Sequence, residues 1–166
     1  LHLPEKSARR PRRLKLRPEY VLDFVDADTN IQEALDRVMH AIPRLTAYGF
    51  GTYGDYPPKE EPCTYARDRE QLRVSGDKIR SVWGWLGQID HIKSCNWLYS
   101  SYGMKHRWEF DSGEYCSNGS LITAALLRGF TAWTDGPNAH FNMSNKSYNR
   151  ILDRQQAVRQ GRPADV

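Results

Sequence analysis

Residues 100–110 read SSYGMKHRWEF, residues 113–130 read GEYCSNGSLITAALLRGF, and residues 136–144 read GPNAHFNMS. Ser100 or Ser101 caps a helix that runs through Phe110, and Asp111-Ser-Gly113 breaks it. Asn118 caps a second helix over residues 119–128, which Gly129 stops. Thr131–Trp133 and Ala139–Met143 read as short strands around the turn Asp135-Gly-Pro-Asn138. The order helix, turn, helix, hairpin matches a helix-turn-helix followed by a wing. The second helix limits that match. Between Gly119 and Arg128 only Ser120, Thr123 and Arg128 are polar, against six aliphatic residues, whereas a recognition helix shows polar side chains to base edges. It reads mainly as core.

Working outward, Tyr20–Val25 is short, apolar and partly β-branched, and reads as a strand. Asp26–Asp28 turn the chain, and Thr29 with Gln32 forms a capping box. The helix over 29–42 puts Ile31, Leu35, Val38, Met39 and Ile42 on one face, and Pro43 ends it. Leu45–Tyr56 holds a second strand, and residues 51–64, with Gly51, Gly54, Pro57, Pro58 and Pro62, form a loop. Ser75 caps a helix running to about Lys93, lined by Ile79, Val82, Trp83, Leu86, Ile89 and Ile92. Gly84 and Gly87 inside it are expected to admit a close neighbour. Ser144 caps the last helix, with Tyr148, Ile151, Leu152, Gln155 and Val158 at helical spacing. Gly161 and Pro163 end it. The fold class is α+β: a helix-dominated single domain over residues 19–160 with short strands, a flexible basic arm over 1–18 and a frayed end over 161–166.

Charge is distributed unevenly. Lys6, Arg9, Arg10, Arg12, Arg13, Lys15 and Arg17 face one acid, Glu5, so residues 1–18 carry +6 while the whole chain of 166 residues carries +4. Pro4, Pro11 and Pro18 keep this segment extended, and it has little to bury. A flexible basic arm on a nearly neutral domain suits a polyanion: DNA, RNA or an acidic protein surface. The competing reading is a solvated terminus that aids solubility. No apolar run is long enough to span a bilayer, and no apolar stretch follows the basic start as in a secretory signal. Cys63, Cys95 and Cys116 are an odd set without repeating spacing, which fits reduced thiols and a cytoplasmic setting.

Sites of chemistry are weakly marked. Cys95, His106, Cys116 and His140 are suitable zinc ligands, but no tight pair such as C-x-x-C occurs among them, so no metal is expected. His106 and Glu109 share a helix face and can touch, either as a general base or as an ordinary exposed ion pair. Ser101, Cys116 and Ser117 lie near glycine-bearing turns without a nucleophile elbow. Neither Gly49-Phe-Gly51 nor Gly84-Trp-Leu-Gly87 makes a phosphate loop, and no cofactor motif occurs. Tyr48, Phe50, Tyr53, Tyr56 and Tyr65 crowd the glycine- and proline-rich region, where they stack on unpaired bases or anchor an interface if exposed, and fill a core if buried.

The segments SYGMKH, YCSNGSLITAALLRGF and PNAHFNMS lie in one block, about a quarter of the chain, and resemble a core of small phage and mobile-element proteins. The resemblance implies an accessory protein acting on nucleic acid or host machinery, and it assigns no catalytic residue. The expectation is therefore a non-enzymatic protein that binds nucleic acid or a nucleoprotein complex. The arm would neutralise phosphates, with Lys105, Arg107, Arg128 and Lys146 contributing from the domain. The alternative is an inhibitor or structural virion component whose tail docks on an acidic protein. A third is an enzyme using His106 and Glu109.

Overall fold

The computed structural model describes residues 13–17, 25–26, 28–51 and 62–162. Over these the chain forms β1 (Lys15–Leu16), α1 (Ile31–Ala41), β2 (Leu45–Thr46), β3 (Gly49–Phe50), α2 (Pro62–Arg73) and α3 (Gly76–Leu86). It continues with β4 (His91–Ser100), α4 (Ser101–Ser112), α5 (Asn118–Leu127), β5 (Ala132–Asp135), β6 (Asn138–Met143) and α6 (Asn145–Arg159). Helices dominate and the strands are antiparallel, an α+β architecture.

The centre is α5. All ten of its residues are buried, and it touches α1, α3 and α4 as well as β3, β5 and β6. Such all-round burial explains its all-round apolar sequence. Beside it lies a sheet in the order β1-β5-β6-β4. Alternation along β5 and β6 sends Ala132, Ala139, Phe141 and Met143 into the core, leaving Trp133, Asp135, His140 and Asn142 to the other face. The order helix, turn, helix, hairpin is present, and the second helix is core, as its sequence implies. That helix is enclosed on every side, and the hairpin is the middle of a sheet flanked by β1 and β4. The second helix is therefore not available to enter a groove.

Several other boundaries move. The helix read to Lys93 stops at Leu86, and His91–Ser100 is a strand paired with β6. Its first four residues are exposed, so no apolar alternation betrays it. It also breaks register on both sides of Asn96, whose Nδ2 donates to the Met143 carbonyl at 3.0 Å and to Asn145 Oδ1 at 2.6 Å. A side chain at Gly84 would meet nothing, and one at Gly87 would meet the Arg128 guanidinium and the Gly84 carbonyl of the preceding turn. The expected close approach is elsewhere, at Gly49 and Gly119. Residues 62–73 form α2, where only Asp68 and Leu72 are buried; a helix this polar shows little periodicity. Its Arg69 reaches the carbonyls of Met39, Ile42 and Leu45 at 2.8, 3.3 and 2.9 Å, satisfying the C-terminal end of α1.

Asn30, not Thr29, caps α1: its Oδ1 accepts from the Gln32 and Glu33 amides, while Thr29 is held in a turn by Asp26 Oδ1. Asn30→Ala is expected to cost about 1 kcal/mol, read as a lower urea midpoint, and Thr29→Ala less. Equal losses at the two positions would return the cap to Thr29. Ser117 likewise replaces Asn118 as the cap of α5, and Ser144 caps α6 as read. The strand expected at 20–25 lies largely outside the described residues, with Val25 buried and not in a strand. At the other end of this segment the arm boundary shifts, because Lys15–Leu16 pair with Ala132–Trp133 and belong to the sheet. Among the described residues, no helix is long and apolar enough to cross a membrane.

Candidate functional site

The spacing Tyr102, Lys105, His106, Glu109 puts four functional side chains on one face of α4. Facing them are Ala47 and Tyr48 from the β2–β3 turn, Tyr115 and Asn118 from the start of α5, and Pro137 and Asn138 from the β5–β6 turn. Together they line a cleft of about 790 Å³. Backbone contacts lock its far wall. The Gly119 amide donates to the Ala47 carbonyl at 2.9 Å, and the Phe50 amide to the Pro137 carbonyl at 2.9 Å. Asn118 Nδ2 ties the three segments together, reaching the Tyr48 carbonyl (3.2 Å), the Pro137 carbonyl (3.3 Å) and Asn138 Oδ1 (3.0 Å). Gly49, at φ +104°, permits this approach, since a Cβ there would overlap the Pro137 carbonyl.

Glu109 organises the near wall. Its Oε1 accepts from Lys105 Nζ at 2.7 Å and from the Cys116 amide at 3.2 Å, and its Oε2 lies 2.7 Å from His106 Nδ1. Burial alone would raise the Glu109 pKa, but the bonds from Lys105, His106 and Cys116 outweigh it and hold the carboxyl below its ordinary value. An ionised carboxylate at Nδ1 makes that nitrogen the donor, which in the neutral imidazole leaves Nε2 to accept. Lys105 is buried, with its ammonium 5.4 Å from the Tyr102 ring and 4.7 Å from the Tyr115 ring, and it also donates to the Cys116 carbonyl at 3.3 Å. The positive Lys105 and negative Glu109 cancel, so the cleft wall is aromatic and nearly neutral.

A second candidate surface is the outer face of the sheet. Arg13 sits 4.5 Å over Trp97 and 3.7 Å from Asp135, and Lys15 lies 5.2 Å from Trp133. His140 lies beneath them, tilted against Trp97 with ring centroids 5.1 Å apart and Nε2 3.4 Å from Asp135. Arg13 meets Asp135 at the hairpin turn whose Pro137 and Asn138 line the cleft, so the described chain begins at the cleft end of the sheet.

The residues singled out from sequence have separate fates. Lys6, Arg9, Arg10 and Arg12 lie outside the described residues, whereas Arg13, Lys15 and Arg17 are exposed on or beside the sheet. Lys105 is corrected as a phosphate contact, because Glu109 and two rings enclose it. Arg107 is half-buried and hydrogen-bonded to Tyr148, Arg128 stacks on Trp83 at 4.4 Å, and Lys146 is exposed on the first turn of α6.

Cys95, His106, Cys116 and His140 are not gathered: among the described residues no group of three or more His, Cys, Asp or Glu is placed to hold a metal. The nucleophile candidates have structural roles. Ser101 Oγ accepts from the Ala139 amide at 3.0 Å and Ser117 Oγ from the Ser120 amide at 3.0 Å. Burial and the Glu109 charge push the Cys116 thiol up to about 12, leaving it protonated at neutral pH. Of the loop aromatics, Phe50 is buried, Tyr48 is exposed and Tyr65 bonds the Pro43 carbonyl at 2.7 Å, while Tyr53 and Tyr56 lie outside the described residues.

Sequence reading missed Tyr102, Tyr115, Asn118 and Asn138 as site residues, and Trp97 and Trp133 as a platform. The first four stand in the quoted block, and the i, i+3, i+4, i+7 spacing from Tyr102 was the available signal. No family model matches the chain, and neither a curated protein nor a solved structure matches it significantly. Function is therefore read from geometry and chemistry.

Proposed function

We propose that the protein binds nucleic acid through its cation-rich N-terminal segment and the tryptophan face of the sheet, as an accessory protein of the phage or mobile-element kind. The stacking of Arg13 on Trp97 and of Lys15 on Trp133 carries this reading. Rings beneath the cations support their stems, and although Arg13 shares its charge with Asp135, both cations stay exposed enough for phosphate contact. The strongly basic sequence leads directly onto this platform, so the affinity of the arm and the placement by the fold meet at one surface.

Binding of labelled oligonucleotides across a salt series tests it. Neutralising Arg13 and Lys15 together is expected to reduce the slope of log K against log salt by roughly 1.4 to 1.8, at about 0.7–0.9 per phosphate contact. An unchanged slope in the double alanine variant would remove the platform from the reading. An acidic protein partner is the second reading, favoured by β4. That strand pairs with β6 alone among the described residues and exposes Ile92, Trp97 and Leu98, the profile of a surface for strand addition. A packed interface of that kind tolerates salt and competitor DNA; phosphate binding does not.

A further inference from the structure

We propose that the cleft between α4 and the β2–β3 turn receives a single unpaired base of the bound strand, which makes the protein selective for single-stranded nucleic acid over duplex. The proposal rests on the nucleic-acid reading above and names the part of the ligand that the cleft takes.

Charge decides what enters. Lys105 and Glu109 neutralise each other at 2.7 Å, and the other lining residues include no Lys, Arg, Asp or Glu. A phosphate would therefore lose its hydration without gaining an unpaired cation. A planar, uncharged heteroaromatic group has no such cost. The volume of about 790 Å³ is ample for one nucleoside.

The lining matches that class of ligand. Tyr48, Tyr102 and Tyr115 are 61%, 52% and 69% exposed, three large rings left open at one cleft. Tyr48 and Tyr115 also line an adjoining hollow of about 460 Å³ on the side of α2 and α3, so they form a divider with space on both sides. Aromatic faces of this kind bind bases by stacking, whatever the sequence. Polar groups for a base edge are present as well: His106, held through Nδ1 by Glu109, and the Asn138 carboxamide. Duplex is excluded because its base faces are already stacked and its edges paired.

Position connects the cleft to the strand. Arg13, the first described residue, is bonded to Asp135 on the same turn that supplies Pro137 and Asn138 to the cleft. A phosphate at Arg13 and a base held by the tyrosines would thus meet at the same turn.

The experiment uses the full chain and four probes of equal length: a labelled single strand, its duplex, the same strand with its central base removed, and a fully abasic strand. The single strand is expected to bind best. Tyr48→Ala and Tyr115→Ala should each weaken it about ten- to hundredfold, leave its salt slope unchanged, and leave the duplex and fully abasic affinities alone. Both tyrosines are well exposed, and thermal melting of the variants, Tyr115→Ala above all because its ring lies 4.7 Å from the Lys105 ammonium, separates lost binding from a folding defect. Equal affinity for single strand and duplex, or tyrosine variants that bind the single strand normally, would overturn the base site while leaving the cationic platform standing. Binding of none of the four probes by the wild type at low salt would overturn the platform and the base site together.

Discussion

Alanine at Gly119 is expected to destabilise the protein by about 3 kcal/mol or more, or to prevent folding, although the change adds one methyl group. The methyl would overlap the Thr46 carbonyl oxygen and lie 2.9 Å from the Thr46 carbonyl carbon and 3.1 Å from Ala47 Cα. All three atoms are backbone, so no rotamer change relieves the clash. The only relief is to separate α5 from the β2–β3 turn, which breaks the bond from the Gly119 amide to the Ala47 carbonyl and opens the packing around Leu45, Phe50 and Leu121. Alanine at Gly84 provides the opposite test. That glycine sits inside α3, exposed and with nothing near the added methyl, so the substitution should raise stability by roughly 0.5–1 kcal/mol through helix propensity and a less flexible unfolded chain. Urea unfolding of the two variants at constant m would decide. A Gly119→Ala midpoint close to wild type would show that α5 and the turn do not pack as described. The same contact places Tyr48 and Asn118 across from α4, so a partly folded Gly119 variant should lose the cleft before the rest of the core.

How far these features can be read from sequence depends on whether the deciding contact is local. The α5 segment was legible as core because its run of Leu, Ile and Ala has no polar face, and burial on all sides follows from that. α1 and α6 were legible because one face alone is apolar. β4 was not: its apolar members Ile92, Trp97 and Leu98 are exposed, and Asn96 interrupts the ladder, so neither helical nor strand periodicity is present. What makes it a strand is β6, some fifty residues away. α2 failed for a related reason, since its ties to the fold are long-range: Arg69 on the carbonyls of Met39, Ile42 and Leu45, and the Asp68 carbonyl accepting from the Ala47 amide. At the site, the α4 face was written in the spacing from Tyr102 to Glu109. The opposite wall was hidden, because Tyr48 and Asn138 become neighbours of that face only through the backbone approach at Gly49 and Gly119. His106 and Glu109 looked like an ordinary surface pair. The Lys105 ammonium and the Cys116 amide make it something else, and both depend on how the chain turns between α4 and α5.

Removing either member of the Lys105–Glu109 pair is expected to cost about 3–5 kcal/mol, because each leaves the other charge enclosed without its partner. Side-chain exposure is only 6% for Lys105 and 19% for Glu109, and their bonds reach the Cys116 backbone from both directions. A double variant, Lys105→Met with Glu109→Leu, should recover much of the loss, since both charges leave together. A double-variant loss equal to the sum of the single losses would mean the two charges do not interact. Acid titration gives an independent measure. Because the folded-state pKa of Glu109 is lowered, its contribution is fully present above the unfolded value of about 4.3 and disappears as the pH falls through the folded value. Wild type should therefore lose stability over that acid range more steeply than Glu109→Gln, which has no charge to lose. The pair also bears on the cleft. Glu109 holds His106 in place through Nδ1, and Lys105 cancels the carboxylate that would otherwise repel a strand's phosphates. Lys105→Met should thus weaken single-strand binding even at a temperature where the variant remains folded. Glu109→Gln should instead leave a net positive cleft that no longer orients His106, so it should bind a fully abasic strand more tightly than wild type does.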